Sequence, residues 1–242
     1  MQSTRNKRAA VYINCQSFVV VNPQRHKERN RNLLSGYHDV VHMNLDAEIE
    51  KSFQWMRKSN KLLDGVDFAT SQSSKMAVSL LHLSIEHQKG IYTLVASGVI
   101  GSAFALFRPQ YEAYVRGVWI GSCATETNLK SVMSGRDFPK INNLIQAIEK
   151  TTRFKSGSLS AGKARLWKAL NDYTHGGLFQ IANRVTENEV MNNHKPENSI
   201  WLLSQSSGIS LLAANEIAFI ARNREVSKLL QSAHSELYST AP

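Results

Sequence analysis

The sequence predicts an all-α protein, a multi-helix bundle preceded by a poorly structured basic arm. Three observations carry this reading. From residue 44 onward apolar side chains recur at helical spacing, glycines and Ser-Gly pairs interrupt them at helix-length intervals, and no stretch after residue 43 alternates convincingly as a strand would. The chain is therefore expected to divide into an N-terminal arm, 1–42, and one helical domain, 43–242.

The arm has no acid before Glu28 and runs from a β-branched stretch at Val19, Val20 and Val21 into a polar, basic segment between Pro23 and Asn32. Asn14 and Gln16 interrupt what would be the apolar core of a signal peptide, so none is expected. Met43, followed by Asn44-Leu45-Asp46, reads as a natural helix start, so residues 1–42 are expected to be a loose arm or an over-extended start.

Asp46 is expected to cap a first helix carrying Leu45, Ile49, Phe53, Met56 and Leu63, which Gly65 ends. A second begins near Ser73, with Met76, Leu80, Leu83, Ile91 and Leu94 on one face, and stops at Ser97-Gly98. The third runs from about Ile100 to Cys123. Thr125 starts a short helix, and Pro139 opens another with Ile141, Leu144, Ile145 and Ile148 inward. After the Ser156-Gly157-Ser158 loop, a helix with Leu166, Leu170 and Tyr173 runs to Gly176-Gly177, a C-terminal stop. A short piece from Leu178 to Val185, a polar loop over 186–198, and helices from about Ser199 to Ala221 and Arg224 to Tyr238 complete the pattern.

Ile91 to Phe107 carries no charge, but it is short for a membrane span and small residues break it at Ser97-Gly98 and Gly101-Ser102. Two buried helices meeting at a turn explain it, and no membrane partner is expected. The cysteines, Cys15 and Cys123, match no metal or redox spacing and suit ordinary thiols in a cytoplasmic setting. No phosphate-loop motif is present and no full metal-ligand set is visible, so neither metal nor cofactor is expected.

The net charge of +10 is unevenly distributed. Residues 1–42 hold seven bases against two acids, and 43–129 balance at eight against eight. Residues 130–168 carry nine bases against two acids, whereas 169–242 are slightly acidic. Such a local excess attracts phosphate-rich partners, RNA or a nucleotide, or else marks a solvated face. Lys140, Lys150, Arg153, Lys155, Lys163, Arg165 and Lys168 are the candidate phosphate contacts. Phe138, Phe154 and Trp167 lie among these bases, either to stack on nucleobases or to fill the core.

Two clusters carry the chemistry. Arg108, Glu112 and Arg116 repeat at four-residue intervals in an apolar segment, so a single carboxylate can hold two guanidinium groups, with Arg116 a further phosphate contact. His175 follows Asn171 by four residues and Asp172 by three, which places all three on one helix face. An imidazole there can act as general acid or base, with Asn171 and Asp172 orienting it, or can simply complement the helix C-terminus.

An Arg-x-x-x-Glu helix followed by one ending in Asn-x-x-x-His resembles the HEPN superfamily of small bacterial helical domains, and bacterial families with a Tyr-x-His-Gly element. The helix order is similar over about 70–235. Asn171 and His175 fall on the family's polar residue and histidine, while Leu170 stands where its arginine would be. The resemblance implies a HEPN-like homodimer and metal-independent cleavage of RNA, as in toxin–antitoxin and antiphage ribonucleases, with an antitoxin or other protein as partner. Arg108 or Arg116 would have to supply the missing charge in space. The alternatives are a non-catalytic dimerisation or interaction module and a nucleotide sensor.

Overall fold

The computed structural model describes residues 11–12 and 37–239. Among them nine helices form an all-α multi-helix bundle. In chain order these are α1 (Tyr37–Leu63), α2 (Gln72–Ala96), α3 (Ile100–Ser122), α4 (Glu126–Met133), α5 (Ile141–Glu149), α6 (Ser158–Thr174), α7 (Leu178–Ala182), α8 (Pro196–Ile220) and α9 (Arg224–Tyr238).

Two expectations need correction at the N-terminal end. Helix α1 begins at Tyr37, so it crosses the 42/43 boundary, and Asp46 sits in its third turn instead of capping it. A strand pair also exists: β1 (Val11–Tyr12) runs antiparallel to β2 (Asp67–Phe68), pairing Val11 with Phe68 and Tyr12 with Asp67. Two residues are too few to display an alternation, so the sequence pattern had nothing to show there. The rest of the arm, Cys15 and the Val19–Val21 run included, lies outside the described residues.

The remaining boundaries follow local chemistry. Ser71 caps α2 by accepting the Ser74 N–H at 3.1 Å. Thr125 and Asn128 form a reciprocal capping box at the start of α4. Pro139 lies just before α5, whose N-cap is Lys140. At the end of α6, His175 is the C-cap and Gly176 takes a left-handed φ of 68°, which satisfies the last turn.

Helix α3 is the hub, packed against α2, α5, α6 and α8. Its approach to α2 is close: a Cβ on Gly117 would stand 2.8 Å from Leu81 Cγ, so any other residue would force the two helices apart. The buried side chains form two clusters. One centres on Trp55, Leu81, Val115, Ile120, Ile145 and Ile217. The other centres on Ile91, Tyr92, Phe107, Leu170 and Leu202. Three buried polar residues on α3, α2 and α8 join these helices: Gln110 Nε2 donates to Ser206 O at 2.9 Å, its Oε1 accepts from Ser206 Oγ at 2.7 Å, and Ser84 Oγ donates to Gln110 O at 3.0 Å. No described helix is long and apolar enough to cross a membrane.

Candidate functional site

The outward strip of α3 faces α6. Pro109 interrupts α3 beside Arg108 and leaves the Ala105 carbonyl without its helical donor. Thr174, the last residue of α6, places its hydroxyl 3.5 Å from that oxygen while donating to Leu170 O at 2.8 Å. Leu170, only 3% exposed, anchors the same turn in the core. The end of α6 is thus fixed against the middle of α3, and this positions His175.

The two sequence clusters meet there. Arg108 Nη1 lies 2.9 Å from His175 Nε2. Arg108 Nε donates to Glu112 Oε1 at 2.7 Å, and Arg116 Nη2 donates to Glu112 Oε2 at 2.8 Å. Glu112 is therefore shared by two guanidinium groups, with its side chain 15% exposed against 23% for Arg108 and 38% for Arg116. His175 is exposed. Two arginines on one carboxylate leave a surplus positive charge beside a solvent-facing imidazole, an arrangement suited to an anion.

Aromatic rings hold the guanidinium groups in place. Arg108 lies over the Trp167 ring at 4.9 Å, and Lys163 approaches the same ring at 4.3 Å. Arg116 lies over Phe138 at 5.2 Å, and its Nε is sealed from solvent without a hydrogen-bond partner among the described residues. Trp167 was foreseen only as a stacking or core residue. Its four-residue spacing from both Lys163 and Asn171, with His175 one turn beyond, was the signal for one continuous α6 face.

Not every candidate joins the cluster. Asp172 is engaged elsewhere: its carboxylate accepts the backbone N–H of Leu178 at 3.0 Å and that of Phe179, so it caps the start of α7. Gly177 has no space for a Cβ because that carboxylate fills it. Asn171 Oδ1 is sealed and accepts no hydrogen bond among the described residues, so the amide does not orient His175 through this oxygen. Leu170 is buried in the core.

The basic segment is likewise divided. Arg153 pairs with Glu216 on α8 and lies over Phe219 at 3.5 Å, so its charge is already met by a carboxylate although its side chain stays 38% exposed. Lys163 is engaged with Trp167. Lys140, Lys150, Lys155, Arg165 and Lys168 are exposed. Phe138, Phe154 and Trp167 are partly buried and pack against the core.

An aromatic wall adjoins the site on the side of α7. Tyr173 stacks on Phe104 at 4.3 Å and on Phe179 at 6.1 Å, and His194 stacks on Phe104 at 5.8 Å. Burial, and then Arg184, push the His194 imidazole below its ordinary value. Burial raises the Tyr173 hydroxyl, with the Asp172 charge adding to the effect and the Asn183 hydrogen bond opposing it. No group of three or more His, Cys, Asp or Glu residues placed to hold a metal ion occurs among the described residues.

No curated protein and no solved structure matches the chain. A model of a family of unknown function, DUF6988, matches residues 81–242, a span that holds Arg108, Glu112, Arg116 and His175, and the chain therefore belongs to the DUF6988 family.

Proposed function

We propose that the Arg108–Glu112–Arg116–His175 cluster binds the phosphates of RNA and cleaves the strand without a metal, as HEPN-like ribonucleases do. The observation that carries this reading is the 2.9 Å approach of Arg108 Nη1 to the Nε2 of an exposed histidine on another helix. The ribose 2′-OH attacks the adjacent phosphorus while His175 takes its proton. The bond from phosphorus to the 5′-oxygen breaks as that oxygen takes a proton from water, His175 returns its own proton to the solvent, and the products are a 2′,3′-cyclic phosphate and a 5′-OH. Arg108 neutralises charge developing on the phosphate oxygens, and Arg116, two turns along α3, meets a neighbouring phosphate. Exposed Lys168 and Arg165 on α6 extend the positive surface, so binding depends steeply on salt and weakly on sequence.

The test is purified protein with total RNA in the presence of EDTA, comparing wild type with His175→Ala. Cleavage with cyclic-phosphate ends that His175→Ala abolishes at unchanged helicity is expected. Wild-type protein that leaves RNA intact, or an equally active His175→Ala, would overturn the reading.

A second reading, a non-catalytic module that docks a protein partner or a second copy, draws on a different observation. Leu178, Phe179, Ile181, Val185, Val190 and Met191 are all exposed within fourteen residues. Leu170, sealed in the core, also stands where the HEPN motif would place its arginine.

A further inference from the structure

Resting on the phosphate-binding reading above, we propose that Arg108 is a latch on His175: its guanidinium holds the imidazole lone pair, and a phosphate arriving at the cluster releases it.

A guanidinium carries N–H donors and no acceptor. At 2.9 Å, therefore, Arg108 Nη1 donates to Nε2, and the His175 ring is the neutral tautomer with its proton on Nδ1. The engaged lone pair is the one that general-base chemistry at Nε2 requires. While Arg108 stays, a proton at Nε2 would set two donors and two positive charges head to head. Proton uptake there and the Arg108 contact exclude each other.

The latch is anchored at its other end. Glu112 Oε1 holds Nε at 2.7 Å, and the Trp167 ring supports the guanidinium plane at 4.9 Å. The Nη groups are the ends that can change partner without breaking the Glu112 contact. An imidazole nitrogen is a neutral acceptor, whereas a phosphate oxygen is charged, and charge-assisted hydrogen bonds are roughly twice as strong. A phosphate within reach of Nη1 thus outcompetes the imidazole and uncovers the base. Coupling of this kind is reciprocal, so whatever frees the imidazole also alters the phosphate affinity. The site would be reactive only when a phosphate is on it.

The experiment is an inorganic phosphate titration of the full chain labelled with ¹⁵N-histidine, reading the His175 ring nitrogens by NMR and the affinity by calorimetry. The expected result is a saturable change in the His175 Nε2 signal, from hydrogen-bonded acceptor toward free or protonated nitrogen. Arg108→Ala should show the uncovered signal before phosphate is added and bind phosphate about tenfold more weakly. Arg108→Lys guards against a folding defect: its ammonium keeps the charge but lacks the fork that spans Glu112 and His175, so it should uncover Nε2 with only a few-fold loss of affinity. Phosphate binding that leaves the His175 signal unchanged overturns the latch and spares the phosphate site. A wild-type protein that binds no phosphate overturns both.

Discussion

Two arginine–glutamate clusters in this molecule use the same residue types to opposite ends. Arg153 and Glu216 form a matched pair: one charge meets one charge, Glu216 is only 7% exposed, and the guanidinium, its side chain 38% exposed, lies against Phe219 and Phe154. Arg108, Glu112 and Arg116 form an open one, with two guanidinium groups for one carboxylate and an exposed imidazole at its edge. A neutral pair with a buried carboxylate ties the segment after α5 to α8. A cluster with surplus charge at the surface leaves work for a ligand. Residue type therefore says little, and the count of partners says much.

The largest expected effects separate the two clusters. His175→Ala should cost about a hundredfold or more in RNA cleavage while thermal unfolding changes little. Arg153→Ala should do the reverse, leaving cleavage near wild type while the uncompensated Glu216 costs about 2–3 kcal/mol, a fall in Tm of roughly 5–10 °C by calorimetry. An Arg153→Ala protein that is stable but inactive would erase the distinction.

A smaller effect concerns acid. Burial holds the Glu216 carboxyl above its ordinary value of 4.5, with Arg153 pulling it back. The folded chain binds this proton more tightly than the unfolded one, so the contribution of Glu216 to stability grows as pH falls toward 4.5. His234, packed on Trp55 and Tyr238, behaves oppositely. Burial lowers its imidazole from 6.5 to about 4, so the unfolded chain binds more protons across that window and stability is lost as pH falls through it. Melting curves between pH 7 and pH 4.5 should show a shallower acid loss for His234→Phe and a steeper one for Glu216→Gln.

The smallest effect sharpens the border of the open cluster. Asn171 Oδ1 is buried without a partner, so Asn171→Leu should raise Tm by a degree or two and leave cleavage unchanged. Lost cleavage at raised stability would return Asn171 to the site.

The helices were legible because their signals are local. Thr125, Ser97-Gly98, Gly157 and Gly176 each end or begin an element with chemistry contained in a few residues. The four-residue spacing of Arg108, Glu112 and Arg116 likewise announced their ion pairs. What the sequence concealed depends on distant partners. Arg153 and Glu216 are 63 positions apart, and nothing near Arg153 distinguishes it from the exposed lysines around it. Asp172 was misread because its true partners lie six and seven residues ahead, across a left-handed turn. The meeting of Arg108 with His175, 67 positions apart, could be posed from sequence as a condition but required the packing of α6 on α3 to be met.

The Asp172 cap has a consequence for mutagenesis. Its carboxylate ties the start of α7 back to the last turn of α6, so residues 172–179 form a short tethered bend with His175 inside it. Cutting the tether with Asp172→Ala would let the imidazole wander from Arg108 and depress turnover without removing any reacting group. Such a defect would imitate a lost acid, and a ring position followed by spectroscopy, not a rate alone, would tell an unmoored histidine from a missing proton donor.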